Sequence, residues 1–374
     1  MSEKRSKTLV AVAAIFVIYT FVAARPVPPE TVLVPRWLTS LETGLSVPLS
    51  EQVQPSGGML HEPLPFVMGN RFGYVEADGR FLLNRVKTGQ VSISPGRWAE
   101  FDAEPESVTV HDVAGEAVTV IANPGGYPFF LDGRYFIVGS GQDTVSEIDA
   151  SGEALWTFEF ASPLTSIDAA AGLLLAGLLD GEVVLVDRFG RQVFSFEPGG
   201  SRLSVILGSA ISRDGSRLAI VSGIDSQRFL VLERFGAGPG DYRVVYHEFL
   251  GEGFRRPVYV AFIENDRHVV FERHGGLGIY DVGSRLTRNV EIDGELLALD
   301  GSGGQGFLFA AFASLDGDLP TDSVNIVGIR VAGRSPRVVM RAPFRSDEVF
   351  LGRMGSRLIV GGGQAMVAFD LERR

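Results

Sequence analysis

The chain has 374 residues, of which 45% are hydrophobic, and a net charge of −11. Its length allows a large core, and its acidic balance excludes binding to nucleic acid through a broad basic surface. The absence of cysteine excludes disulfides, thiolate metal ligands and cysteine nucleophiles. Lysine occurs only at positions 4, 7 and 87, so arginine carries nearly all the positive charge and is a weak guide to function by itself.

Residues 1–24 contain two lysines and an arginine followed by the uncharged apolar run TLVAVAAIFVIYTFVAA. This pattern predicts a single N-terminal membrane-spanning helix or, as the alternative, a cleaved signal peptide. In either case we expect the rest of the protein in the periplasm or another extracytoplasmic space. It would be membrane-anchored if the segment is retained and a secreted periplasmic protein if the segment is removed.

Residues 25–66 hold eight of the 19 prolines and begin with RPVPPE. Proline fixes φ and lacks an N–H group, so regular structure is disfavoured in this segment. We interpret residues 25–66 as a stalk or linker and residues 67–374 as the folded domain.

From residue 67 onward the chain consists of short alternating apolar runs separated by Gly, Asp and Ser, a pattern typical of antiparallel strands. The aspartates of an Asp-x-x-Gly turn recur at Asp112, Asp149 and Asp187. A period close to 40 residues with about four strands in each unit predicts a β-propeller. The repeated units are 90–121, 126–160, 164–198, 204–250, 256–292, 296–344 and 348–374.

The fold class predicted from these units is an all-β, seven-bladed propeller of four-stranded antiparallel blades, preceded by the N-terminal hydrophobic helix. The last unit has only three apolar runs. We therefore expect the N-terminal hairpin 71–86 to supply its missing strand, because an open ring would leave two exposed sheet edges.

Two of the units resemble the repeat of quinoprotein-type and WD40-like propellers. YFIVGSGQDTVSEIDASGEALWTFEF (135–160) has the strand, glycine-rich turn, Asp…Gly turn and outer-strand Trp of that repeat, and LLLAGLLDGEVVLVDRFGRQVFSFEPGG (173–200) is similar. FEPGGSRL (196–203) and GIDSQRFLVLE (223–233) also resemble uncharacterised membrane-anchored propeller proteins of spirochaetes. The resemblance implies a propeller scaffold that presents loops to other proteins.

The resemblance does not extend to the quinone site. Quinoprotein dehydrogenases carry Trp in most blades, whereas this chain has three Trp and only Trp156 occupies the repeat position. The Asp/Glu/Asn set for the calcium ion cannot be identified either. We therefore expect no cofactor.

The sequence offers few signs of catalysis. His268 and His274 lie six residues apart across a predicted turn, which is a weak metal-binding pattern, and we expect ordinary structural roles for both. GSGGQG (301–306) matches a dinucleotide-binding pattern, but a strand follows where a helix would be required, which favours a plain turn. We predict no metal site and no catalytic residues.

In a propeller, the connections between blades and the loops between second and third strands share one face. This scheme places six glycine- and arginine-rich loops around the mouth of the channel, where guanidinium groups could bind carboxylates. The alternative is that these arginines pair locally with Asp or Glu. The predicted binding residues are Arg202, Asp225, Gln227, Arg228, Arg255, Arg256, Arg345 and Gln364.

The predicted function is a membrane-tethered, extracytoplasmic, non-enzymatic module that binds protein partners of the cell envelope and no nucleic acid. Two alternatives remain at this point: a hydrolase or lyase acting on envelope polysaccharide, and a sensor domain for a small anion. A catalytic site would need converging carboxylates or a perturbed His in a pocket, whereas a binding module needs a broad polar and aromatic surface.

Overall fold

The computed structural model describes residues 16, 19, 31–49, 62–236, 238, 240–251, 253–300, 304, 306–314, 323–333 and 335–373. The chain divides into two compact units, Met1–Val34 with Asp370–Arg374, and Pro35–Phe369. The first contains the beginning of strand β1 (Thr31–Ser40) and the end of strand β32 (Ala365–Arg373). The second holds the remaining strands.

The described residues of the second unit form eight antiparallel sheets, called blades 1–8 in chain order. Blade 1 has three strands, β3 (Leu64–Met68), β4 (Arg71–Val75) and β5 (Phe81–Val86). Blade 2 has β6 (Gln90–Ile93), β7 (Trp98–Phe101), β8 (Ser107–His111) and β9 (Ala117–Ala122). Blade 3 has β10 (Gly126–Leu131), β11 (Arg134–Gly139), β12 (Thr144–Ile148) and β13 (Ala154–Glu159). Blade 4 has β14 (Leu164–Ala170), β15 (Leu173–Leu178), β16 (Val183–Asp187) and β17 (Gln192–Phe196).

The second half of the ring repeats this order. Blade 5 has β18 (Ile206–Ile211), β19 (Arg217–Ser222), β20 (Arg228–Arg234) and β21 (Tyr242–Phe249). Blade 6 has β22 (Val260–Ile263), β23 (His268–Arg273), β24 (Gly276–Asp281) and β25 (Leu286–Glu291). Blade 7 has β26 (Glu295–Leu299), β27 (Phe307–Ala313), β28 (Ser323–Arg330) and β29 (Arg337–Arg345). Blade 8 is five-stranded, in the order β2 (Ser46–Pro48), β1, β32, β31 (Arg357–Gly362) and β30 (Val349–Met354).

Apolar clusters fill the spaces between the blades. Eight clusters occur among the described residues, one at each junction between neighbouring blades. Trp37 and Met366 of blade 8 pack on Phe66 and Val75 of blade 1, for example, and this junction joins the two ends of the ring. Because each sheet buries both faces against its neighbours, the ring is held together by the hydrophobic effect without a disulfide.

The all-β propeller is confirmed, but the prediction of seven blades is wrong. The seven repeated units correspond to blades 2–8, and the hairpin 71–86 belongs to a further sheet instead of completing the last one. The strand that pairs with β32 is β1, from the segment interpreted as a stalk. Prolines at positions 35 and 48 made this segment resemble a linker, although proline is tolerated at the edges of sheets.

Blade 1 corresponds to the second, third and fourth strands of the other blades. Its β4–β5 turn has Glu76 N donating to Arg80 O and Gly79 N donating to Glu76 O, the pattern of the Asp112, Asp149 and Asp187 turns between third and fourth strands. The register shift beside this turn recurs at the same place in blades 2–4. An innermost strand is thus missing from blade 1 among the described residues, which exclude 50–61.

The expected N-terminal helix is also not supported. No helix within the described part of the chain is long and apolar enough to cross a membrane. Most of the predicted segment 1–24 lies outside the described residues, which include only Phe16 and Tyr19 from it. The predicted membrane span, and the extracytoplasmic location inferred from it, therefore have no support in the structure.

Candidate functional site

The sheet topology puts the predicted binding loops on one face. Within each blade, consecutive strands are antiparallel neighbours. The loop between the second and third strands and the connection to the next blade therefore lie at the same end of the strands. All six predicted loops are of these two kinds. The contacts between them, however, are concentrated on blades 5 and 6.

Asp225 organises the connection between blades 4 and 5. The Ser201 hydroxyl donates a hydrogen bond to its carboxylate, and the backbone N–H groups of Arg202 and Leu203 donate at 3.2 and 3.4 Å. These bonds, that of Ser201 above all, hold the pKa of Asp225 well below its usual value. The Arg202 guanidinium is 3.4 Å away but 95% exposed, so it remains available to a partner.

Gln227 is a structural residue of this face. Its side chain is buried, and its Nε2 donates to Gly223 O at 3.3 Å and to Phe254 O at 3.2 Å. Its Oε1 accepts a hydrogen bond from Phe254 N at 3.3 Å. Gln227 therefore fixes the blade 5 loop to the connection that leads into blade 6.

Two of the predicted arginines have internal partners. Arg228 donates to the carbonyls of Pro198 and Gly199. Arg256 forms a forked pair with the buried Glu272, at 2.7 and 3.1 Å. The hydrogen bonds that Arg256 donates to Glu272 raise the pKa of Arg256, so this guanidinium stays charged and its fork is occupied by Glu272.

The remaining predicted residues are exposed but scattered. Arg255 and Arg345 have no ion pair or hydrogen bond from their side chains within the described ranges. Gln364 is exposed, and its backbone carbonyl accepts a hydrogen bond from Leu41 N at 2.8 Å. The structure therefore brings together the residues of blades 5 and 6, whereas Arg345 and Gln364 lie near Ser346 at the junction of blades 7 and 8.

Two exposed apolar side chains on this face were not predicted from the sequence. Leu203 is 57% exposed beside Arg202, and Phe249 is 61% exposed at the end of β21, where Arg228 lies 5.6 Å from its ring. In the sequence, only the position of Leu203 after a glycine-serine turn and of Phe249 at the end of a strand pointed to their exposure. We call Arg202, Leu203, Arg228, Phe249 and Arg255 the blade 5 surface.

His268 and His274, the two histidines with metal-like spacing, both lie against neighbouring side chains. His268 is buried between two carboxylates, with Nδ1 3.4 Å from Glu264 and Nε2 3.2 Å from Asp281. His274 lies near Phe254, with ring centroids 6.3 Å apart. Among the described residues, no group of three or more His, Cys, Asp or Glu side chains could hold a metal ion.

The sheet topology agrees with comparisons to known proteins. A family model described as "beta-propeller protein" matches residues 1–372. This chain belongs to that family. The match is to β-propeller proteins in general and not to a quinoprotein or WD40 subgroup.

One relative and two solved structures are similar to this chain. An uncharacterised protein of Treponema pallidum (strain Nichols) is 28% identical over 300 residues, which cover 80% of this chain and 78% of the relative. The crystal structure of BamB from Moraxella catarrhalis is similar at a TM-score of 0.58 and 15% identity, covering 91% of this chain and all of that one. The computationally designed Ika8 protein is similar at a TM-score of 0.56 and 14% identity, covering 84% and 98% of the two chains. These identities establish a shared fold only.

Proposed function

We propose that this β-propeller is a non-enzymatic module that binds a protein partner through the blade 5 surface. The observation that carries the proposal is the exposure of Leu203 beside Arg202 and of Phe249 beside Arg228. Aromatic and arginine side chains are enriched at the centres of protein interfaces and dominate their binding energy. Apolar side chains with this exposure lose unfavourable contact with water when a partner covers them.

The loops that carry the surface are also held in place before binding. Asp225 fixes the turn that carries Leu203, and Gln227 fixes the connection that carries Arg255. Loops with an internal hydrogen-bond network lose little conformational entropy when a partner docks, which favours affinity. The internal pairing of Arg228 and Arg256 supports a protein surface over a small-anion sensor, because these guanidinium groups are not free to surround an anion.

Site-specific photo-cross-linking tests the proposal. A cross-linking amino acid replaces Phe249 or, as a matched control, Phe189. Phe189 is 60% exposed in the turn between β16 and β17, on the opposite face of the ring. We expect a discrete cross-linked protein from position 249 only. With the purified partner, Phe249→Ser is expected to weaken binding by about tenfold or more, while Phe189→Ser does not. Equal cross-linking at both positions, or equal affinities of both variants, would contradict the proposal.

A further inference from the structure

Among the described strands, none pairs with the outer edge of β5. β5 is the last strand in the order of blade 1, and Lys87 N donates to Asn70 O at 2.7 Å just beyond it. Because antiparallel pairs alternate, this bond turns the backbone N–H and C=O groups of Asn84 and Val86 away from β4. Within the described residues these backbone groups have no hydrogen-bond partner, and Val86 is 48% exposed.

Neighbouring blades protect other outer edges but not this one. The turn of blade 3 covers β9, since a Cβ on Gly152 would lie 2.3 Å from Val120 O. Gly240 of blade 5 lies equally close to Val193 O of β17, where a Cβ would be 2.0 Å away. The corresponding Gly115 of blade 2 approaches β5 only at the Leu83 side chain, 3.8 Å from its ideal Cβ. The turn of blade 2 therefore leaves the backbone of β5 uncovered in the part of the chain that the structure describes.

A groove lies between β5 and blade 2. It has a volume of 680 Å³ and lies between Arg85 on β5 and the blade 2 side chains Trp98, Thr109 and His111. His111 Nδ1 is buried and has no hydrogen-bond partner among the described residues. On the same face of blade 2, Val120 lies opposite Thr109 in the sheet register and is 55% exposed. An extended chain along β5 would cover Val120.

The mouth of the groove is acidic. Asp102, Glu104 and Glu106 line it, and all three are exposed without an ion pair or a side-chain hydrogen bond in the described part of the chain. Arg85 is the one cation among the groove's lining residues. The charge of the groove therefore fits a basic segment.

Blade 8 shows that the fold accepts a strand at this position. There β2 pairs with the outer edge of β1, matching Leu38 with Val47 and Thr39 with Ser46. The Ser46 hydroxyl also reaches Asp78 O of blade 1 at 3.4 Å. A strand added to β5 would stand in the same relation to blade 1 and blade 2 as β2 does to blade 8 and blade 1.

We propose that the outer edge of β5 binds an extended, basic segment of a partner protein as an added β-strand. Main-chain hydrogen bonds to Asn84 and Val86 provide affinity, and alternate apolar side chains lie over Val120. The basic side chains of the partner segment pair with Asp102, Glu104 and Glu106, and this pairing selects the partner. This site uses a different binding mode from the blade 5 surface and does not depend on it.

Synthetic peptides test the strand addition on the full-length protein. The probe is an acetylated peptide of alternating Val and Lys, compared with the same peptide carrying Glu for Lys and with one N-methylated at alternate amides. Fluorescence anisotropy should show that both altered peptides bind at least about tenfold more weakly, a loss of about 1.4 kcal/mol or more. Equal binding of the basic and N-methylated peptides, or no binding of the basic peptide, overturns the proposal.

Variants locate the binding to β5. Val86→Pro removes only an N–H that faces outward, so the sheet should fold, and it should weaken the basic peptide by about tenfold. Neutralising Asp102, Glu104 and Glu106 together should weaken binding of the basic peptide by a similar factor. The exposed control Glu197→Gln and the blade 5 variant Phe249→Ser should not change its binding. If Val86→Pro binds as well as the parent protein, or if it instead dissociates a dimer of this chain, the proposal is wrong.

Discussion

Trp37 and Gly79 fit together across the junction that closes the ring. The Trp37 Nε1 group donates to Ala77 O at 2.9 Å, and a Cβ on Gly79 would lie 2.7 Å from Trp37 Cδ2. The same arrangement recurs between Trp156 of blade 3 and Gly190 of blade 4, where a Cβ would lie 2.7 Å from Trp156 Cβ. Blades 1 and 8, at the two ends of the ring, therefore contact each other in the same way as blades 3 and 4, which follow one another in the chain.

Gly79→Ala should weaken ring closure more than the matched change Gly115→Ala. Both glycines occupy the same turn position, with φ of +88° and +89°, so both variants acquire about 1 kcal/mol of backbone strain. Only Gly79→Ala also forces Trp37, Thr39 and Ser46 of blade 8 to move, because each lies 2.7 Å from the added Cβ, and this should add about 1–3 kcal/mol of overpacking. Urea unfolding measures the difference. Equal losses in the two variants would mean that the close contact of Gly79 with blade 8 contributes nothing to closure.

Arg255 and Arg256 should behave differently despite being adjacent. Arg256→Ala leaves the Glu272 carboxylate, whose side chain is 6% exposed, without its forked partner. We expect the free energy of unfolding to fall by about 1.5–3 kcal/mol, the cost of losing hydrogen bonds to a charged group. Arg255→Ala removes an exposed side chain and should change stability by no more than about 0.5 kcal/mol. Thermal unfolding of both variants separates a structural role from a binding role, and similar melting temperatures would refute the distinction.

The sequence was most informative where the repeat is regular. The three Asp-x-x-Gly turns form as predicted, with Asp112, Asp149 and Asp187 each accepting hydrogen bonds from the backbone of the residues that follow. This local hydrogen bonding depends only on nearby residues, so a motif can reveal it. In blade 1 the same turn begins with Glu76 instead of Asp, so the Asp-x-x-Gly motif did not reveal the eighth unit.

The position of the N-terminal strand could not be predicted in this way. β1 pairs with a strand more than 300 residues away in sequence, and no local pattern in PRWLTS distinguishes one partner edge from another. The candidate site shows the same limit. Loop positions followed from strand order, but the burial of Gln227 and the exposure of Phe249 depend on how neighbouring connections pack.

The buried pair of Arg353 and Asp300 should be important for the junction of blades 7 and 8. Both side chains are at most 2% exposed and lie 3.5 Å apart, and Arg353 Nη1 also donates to Gly304 O at 2.9 Å. Arg353→Ala removes the guanidinium beside a buried carboxylate and should cost about 3–5 kcal/mol. The exposed Arg341→Ala is the control, with an expected change of no more than about 0.5 kcal/mol. Denaturant midpoints that agree for the two variants would exclude this role.

Asp214 should make the stability of the protein sensitive to acid. Burial alone would raise the pKa of Asp214, but hydrogen bonds from Ser216 and Ser212 outweigh it and lower the pKa from 3.8 to about 2. A lowered pKa in the folded state means that the stabilisation is complete above the ordinary value and is lost as the pH falls towards 2. Because the residue is exposed, we expect a loss of about 1 kcal/mol, less than the unscreened shift implies.

The measurement is the free energy of unfolding of the parent protein and of Asp214→Asn over this pH range. Other carboxylates with lowered pKa values, such as Asp187 and Asp281, contribute equally to both proteins and cancel in the difference. The parent should be the more stable above the ordinary pKa, and the two curves should converge as Asp214 becomes protonated. Curves that stay parallel down to pH about 2 would show that the serine hydrogen bonds do not favour the ionised form of Asp214.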